Sequence, residues 1–142
     1  MARIQVELPS SFIFSCTIPV RITDLNYGGH VGNDTILSII HEVRVQFLRS
    51  FGYTEKNIGG VGMIMGDVAI VFKNELFYGD QVLAHVAVAE VSRATFDLVY
   101  KLEKESNGKM LDVAHARTGM VCFDYEKRKP VAIPAEVLQK WK

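Results

Sequence analysis

The sequence predicts an α+β domain in which a long, curved antiparallel sheet wraps around one central helix. Three features carry this expectation. One apolar strand-like run near the start leads into a single long helical pattern; several runs of alternating apolar residues then follow in close succession; and the breaks between those runs are turn signals rather than helices. With 142 residues, of which 49% are hydrophobic and 23% charged, the chain suits one compact domain over residues 1–142 with a sizeable core.

The first run, SFIFSCTIPVRI, places Phe12, Phe14, Cys16 and Ile18 on one side of a period of two, and Pro19 marks an edge or a bulge. After the polar stretch TDLNYGGHVGND, the segment TILSIIHEVRVQFLRSFG carries Ile36, Ile40, Val43, Phe47 and Phe51 at helical spacing. Leu37, Ile39 and Leu48 widen the apolar arc. This predicts a helix over roughly Thr35 to Phe51, with Asn33 or Asp34 as its cap and Gly52 as a left-handed stop. From Val61 the period becomes two. MIMGDVAIVFKNEL, DQVLAHVAVAEVS, ATFDLVYKLEKE and MLDVAHARTGMVCFDY are expected as a meander of long strands, punctuated by FYGD, SRA and the Asn-Gly pair of ESNGK. PAEVLQKW closes the chain as a short helix with Pro134 at its start. A sheet on one side of one helix leaves edge strands to be managed, and pairing between subunits is the simple solution.

Composition narrows the function. Sixteen basic residues balance sixteen acidic ones, so no long-range field favours nucleic acid or an anionic membrane surface. No apolar run is long enough to span a bilayer and no signal-like segment opens the chain, so a cytoplasmic protein is expected. Cys16 and Cys122 lie far apart in apolar strand-like context and read as buried free thiols. His85 and His115 have no acid or second histidine at ligand spacing, and no metal site is expected.

The order of elements and the segment VRITDLNYGGHVGNDTILSIIHEVRVQFL resemble the hotdog-fold thioesterases of the 4-hydroxybenzoyl-CoA type. Their motif, Asp-x-Asp-x-x-Gly-His-Val-x-Asn before the central helix, is matched at Asp24, Asn26, Gly29, His30, Val31 and Asn33, and the likeness runs from about Phe12 to Phe123. The resemblance implies a homodimer or homotetramer of hotdog domains that hydrolyses acyl-CoA or acyl-carrier-protein thioesters, with coenzyme A entering as part of the substrate and no separate cofactor. It also implies a site at a subunit interface near the start of the helix, where an acid in the second Asp position acts and a backbone N–H, here that of Asn33, holds the thioester oxygen. First-turn N–H groups lack intrahelical partners and carry the positive end of the helix dipole, which suits a developing oxyanion. Gly28, Gly29 and Gly32 would let an acyl or pantetheine chain approach the backbone.

The departure from the motif is Asn26. A carboxamide has no useful basicity near neutral pH, although it can orient a water or the carbonyl. A base must then come from Asp24, Asp34 or His30, each of which also has a structural reading: turn bonding for Asp24, helix-dipole compensation for Asp34, junction packing for His30. Glu42 falls on the polar side of the helix with Ser38 and Arg49. Arg44 falls on the apolar arc, where a buried guanidinium needs a carboxylate and a structural ion pair is expected. Met63 and Met65 are candidates for lining an acyl tunnel with an adaptable surface, although methionines at strand spacing read as core first. Arg93, Lys101, Lys127, Arg128 and Lys129 are available for the nucleotide end of coenzyme A. A non-catalytic acyl-binding hotdog protein and a hotdog dehydratase or isomerase are the alternative readings.

Overall fold

A computed structural model describes residues 3–142. Its elements are β1 (Phe14–Pro19), a single 3-10 turn (Ile22–Asp24), α1 (Asn33–Ser50), β2 (Gly62–Phe72), β3 (Gln81–Ala89), β4 (Thr95–Ser106), β5 (Lys109–Asp124), β6 (Lys129–Pro130) and α2 (Ala135–Lys140). The α+β expectation is met. All strand pairs are antiparallel and the sheet order is β1-β3-β4-β5-β2, with β6 added to the end of β5.

The meander holds only for β3, β4 and β5. β2 does not pair with β3, its successor in sequence; it joins the far edge beside β5, so that α1 lies between two strands that end up at opposite borders of the sheet. Alternation in sequence fixes which face a residue takes but not which strand becomes its neighbour. The Asn107-Gly108 pair has φ of 52° and 78°, as a tight primed hairpin turn between β4 and β5 demands.

Ile36, Ile40, Val43, Phe47 and Leu48 of α1 are buried against the inner face of the sheet, which supplies Val82, Ala84, Val86, Leu98, Tyr100, Leu102, Ala116 and Met120. Gly52, at φ 83°, ends the helix as expected. The start differs from the expectation: Gly32 is the N-cap, without any side-chain capping bond, and Asn33 and Asp34 are already inside the first turn with their side chains exposed. Pro134 likewise occupies the N-cap of α2, one position before the first turn.

The two sheet edges are unlike. β1 is short, ends in Pro19 and continues into an N-terminal segment that lies against the outer face near Asp97, Val99 and Arg117. β2 has 11 residues and no proline, with one open edge and a bulge at Gly66 between Met65 and Asp67. Met63, Met65, Val68, Ile70 and Phe72 lie opposite Cys122, Met120, Thr118, Ala116 and Ala114, so they share the inner face. Of these, Met63 is buried, but Met65, Val68 and Phe72 are 39%, 38% and 47% exposed. Met65 is thus not core, contrary to expectation, because α1 does not reach far enough to cover this edge of the sheet.

Candidate functional site

The polar stretch before α1 folds as a compact loop closed by its own backbone. The N–H of Asn26 donates to the carbonyl of His30 at 2.9 Å, that of Gly29 to the carbonyl of Asn26 at 3.1 Å, and that of Val31 to the carbonyl of Leu76 at 2.9 Å, which pins the loop to the turn after β2. Gly29, at φ +85°, occupies a conformation that glycine adopts without steric cost. The Asn26 Oδ1 accepts the N–H of Gly28 at 2.9 Å, leaving its Nδ2 as the free end of the amide.

Glycine at two positions lets side chains converge. A Cβ on Gly32 would stand 2.6 Å from Asp34 Oδ1 and 3.7 Å from Asn26 Nδ2; one on Gly28 would stand 3.1 Å from Asn26 Oδ1 and 3.6 Å from His30 Nε2. The Asn26 amide therefore lies between the His30 imidazole and the Asp34 carboxylate at the tip of α1. The carbonyl of Gly32 accepts from Thr35 and Ile36, whereas the N–H groups of Asn33 and Asp34, at the first two helical positions, have no protein acceptor among the described residues.

Asp24 is not part of this convergence. It is buried, its Oδ2 accepts the Arg21 N–H at 2.8 Å and its Oδ1 pairs with the Arg21 guanidinium at 3.2 Å, so both oxygens are engaged in holding the 3-10 turn. It borders a concavity of about 460 Å3 between β1 and the outer face of α1, with Ser38, His41, Glu42 and Gln46. Glu42 is exposed and accepts from Gln46 at 2.9 Å.

A second cavity of about 250 Å3 lies on the other flank of the helix tip, lined by His30, Asn33, Ile36, Phe72, Lys73 and Leu76. The His30 ring packs edge-on against Phe77, and its Nδ1 is 3.4 Å from the Val31 carbonyl. Lys73 supplies a cation at this cavity. Sequence reasoning passed over it because a single lysine after a strand carries no pattern. The cations it did offer lie elsewhere: Lys101 is on the outer face with Glu103 and Asp112, and Lys127 and Arg128 form the turn capped by Asp124.

Arg44 has the expected ionic partner. Its Nε donates to Glu55 Oε2 at 3.2 Å, and Glu55 Oε1 is 2.7 Å from His41 Nε2. Burial pushes the Glu55 carboxyl up, but the His41 hydrogen bond and the Arg44 charge outweigh it and hold the group below the usual glutamate value. His85 and His115 do have acids, brought together by folding: His85 bridges Ser15 and Glu103 at 2.7 Å each, and His115 is 2.6 Å from Asp112. Cys122 is buried and its thiol is pushed up to about 11 by burial, so it stays protonated at neutral pH. Cys16 is only partly buried, its thiol raised first by burial and then by the Glu42 charge.

Within a hotdog arrangement the helix tip brings together free N–H groups, a carboxylate and a carboxamide, and residues 20–141 match the family model of the thioesterase-like superfamily. The chain belongs to that superfamily, and the activity that goes with this membership is hydrolysis of an acyl thioester. It is 30% identical over 125 residues to a 1,4-dihydroxy-2-naphthoyl-CoA hydrolase of Microcystis aeruginosa, covering 86% of this chain and 87% of that one. To an acyl-CoA thioesterase of Haemophilus influenzae it is 26% identical over 127 residues, covering 87% and 90%. The solved structure of 4-hydroxybenzoyl-CoA thioesterase from Pseudomonas sp. strain CBS-3 superimposes with a TM-score of 0.79 at 14% identity, over 91% of this chain and 99% of that one, which speaks to the fold.

Proposed function

We propose that this chain hydrolyses an acyl-CoA thioester at the tip of α1, in a site completed by a second copy of the chain. The observation that carries this reading is the placement of Asn26 Nδ2 and Asp34 Oδ1 around Gly32, beside the unpartnered N–H groups of Asn33 and Asp34. The thioester oxygen sits on the Asn33 N–H, where the helix dipole favours the charge that develops there. Asn26 orients a water on the Gly32 flank. Asp34 takes its proton as the oxygen attacks the carbonyl carbon; the tetrahedral intermediate then collapses, the C–S bond breaks and the proton passes to the leaving thiolate. Asp34 is favoured over Asp24 because Asp24 is committed to Arg21. His30, facing the cavity on the other flank, is the second candidate.

The acyl group leaves the helix tip through that cavity and meets the exposed inner face of β2. A second copy paired along the open β2 edge roofs this face, removing Met65, Val68 and Phe72 from water. A homodimer, or a tetramer built from it, is therefore the working unit. Lys73 offers a cation to the phosphates of coenzyme A or of a carrier-protein arm. Among the described residues no helix is long and apolar enough to cross a membrane. The reading places the enzyme in the cytoplasm, where coenzyme A thioesters are made and used.

The experiment is a panel of acyl-CoA lengths with free-thiol detection, run on the wild type, Asn26→Asp, Asp34→Asn and Asp24→Asn. Asp34→Asn lowers kcat by about a hundredfold or more if it removes the base. Asp24→Asn lowers stability and spares the rate per folded molecule, and Asn26→Asp preserves or raises turnover. A wild type inert on every thioester, with Asn26→Asp active, would establish the acyl-binding reading instead, in which the Asn26 amide binds without activating water.

A further inference from the structure

The outer face of the sheet, across from α1, carries a hydroxyl, an imidazole and a carboxylate in line. Ser15 of β1 and His85 of β3 are partners in the ladder, and the Ser15 Oγ is 2.7 Å from His85 Nδ1. The other ring nitrogen, Nε2, is 2.7 Å from Oε1 of Glu103 on β4. With Nε2 protonated toward the carboxylate, Nδ1 is left as the acceptor for the serine O–H. Nucleophile, base and orienting acid stand in the order used for acyl transfer, with the two ring nitrogens exchanged relative to the serine proteases.

Folding holds each member in place. Phe14 and Cys16, on either side of Ser15, turn toward the core, where Phe14 packs edge-on against Phe47, and this alternation turns Ser15 out into solvent. The His85 and Glu103 side chains are only 21% and 13% exposed, and the Phe12 ring lies 5.4 Å from the imidazole, so the base is fixed while the hydroxyl stays open. Lys101 stands 3.6 Å from Glu103 Oε2, and the Asp112–His115 pair of β5 lies beyond it. The ladder also supplies a donor for an oxyanion. The Val20 N–H donates to the Asp80 carbonyl at 2.9 Å, and Phe14 to Pro19 pair with β3 in the same register. Alternation then directs the N–H groups of the even-numbered residues to β3 and that of Ser15 to the open side of β1, which is the border of the sheet. Ile13, one residue ahead of the strand, donates to the Val86 carbonyl at 2.9 Å, a bulge that ends the regular alternation there.

We propose that Ser15 is the nucleophile of a second acyl-transfer site, on the opposite face of the sheet from the helix tip, which takes small carboxylic esters with a good leaving group. Ser15 Oγ bonds to the carbonyl carbon while its proton passes to His85 Nδ1, and the oxyanion forms beside the Ser15 N–H. On collapse the bond to the leaving oxygen breaks and His85 returns the proton to it. Water, deprotonated by the same imidazole, cleaves the acyl-Ser15 ester and restores the hydroxyl. The exposed Ile13 and the Phe12 ring offer apolar contact to a short acyl or aryl group at this open surface. The site is independent of the thioester reading above.

The test uses the full-length chain. A fluorophosphonate, which bonds to an activated serine Oγ with loss of fluoride, should label Ser15 stoichiometrically, as located by peptide mass spectrometry, and p-nitrophenyl acetate should acetylate the same residue with a burst of p-nitrophenolate. Ser15→Ala, a change at an exposed position, should lose both adducts. His85→Gln should slow labelling per folded molecule by about a hundredfold or more, the share a general base contributes. Glu103 acts through the imidazole as a positioning residue, so Glu103→Gln should slow labelling and also move the midpoint of its pH profile, which loss of a merely structural bond between strands would not do. The urea-unfolded wild type, in which the hydroxyl has no base beside it, should not label. Absence of an adduct on Ser15 in the folded wild type, or equal labelling of Ser15 in His85→Gln or in the unfolded chain, overturns the proposal.

Discussion

Gly32 stands where a side chain would separate the two groups assigned to water activation. Its φ of −72° suits any residue, so the need for glycine here is spatial, in contrast to Gly29. Gly32→Ala pushes the exposed Asp34 carboxylate aside at little cost to the fold. We expect kcat to fall by about tenfold to a hundredfold with a nearly unchanged melting temperature, because displacements of about 1 Å at a reacting centre are felt on that scale. Equal activity in this variant would remove Asp34 from the site. Glu55 contributes to the acid dependence of stability. Its folded pKa is depressed, so its contribution to stability is present above the unfolded glutamate value of about 4.3 and is lost as pH falls through the lower folded value. Acid titration of the melting temperature should therefore show a steeper decline below about pH 4.5 for the wild type than for Glu55→Gln.

The helix α1 ties the core to the site. Val43 is completely buried at its centre, whereas its neighbour Glu42 is exposed. Val43→Asp should unfold the domain or render it insoluble, as an unpaired charge placed among Ile40, Phe47 and the sheet has no compensation. Glu42→Ala should move the melting temperature by no more than a few degrees. The helical phase was legible in the sequence because a wide apolar arc repeats at 3.6 residues. The cap was not: Asn33 and Asp34 have the right chemistry for capping, but the chain turns at Gly32, whose small size lets Asn26 and Asp34 approach. Side-chain chemistry alone does not say on which residue a loop bends. The Arg44 pair was legible in kind, since a guanidinium on an apolar arc demands an anion. That the anion is Glu55 depends on the loop after the helix folding back.

In the whole molecule the unequal sheet edges matter most. β1 is blunted by its length and Pro19, while β2 exposes an open edge and an apolar inner face. Sedimentation at micromolar concentration should show a dimer or a multiple of one. Val68→Asp should shift it to a folded monomer with little or no thioesterase activity, since Val68 is already partly exposed within a single chain and the charge falls on the face that the second copy and the acyl group cover. A stable dimer in that variant would place the interface elsewhere.

Hydrophobic period and turn residues were enough to give an antiparallel sheet around a helix, and the spacing of Asp24, Asn26, Gly29, His30 and Asn33 pointed to the helix start as the candidate site. These are local properties, written in residues a few positions apart. Two things were not local. The placement of β2 beside β5 and the meeting of Arg44, Tyr100 and Thr118 each join residues whose relation is set by how the sheet closes over the helix. Periodicity assigns a side chain to a face. Only packing decides which other faces it meets, because strand order and loop path are selected by burial of the whole core rather than by any short stretch of chain.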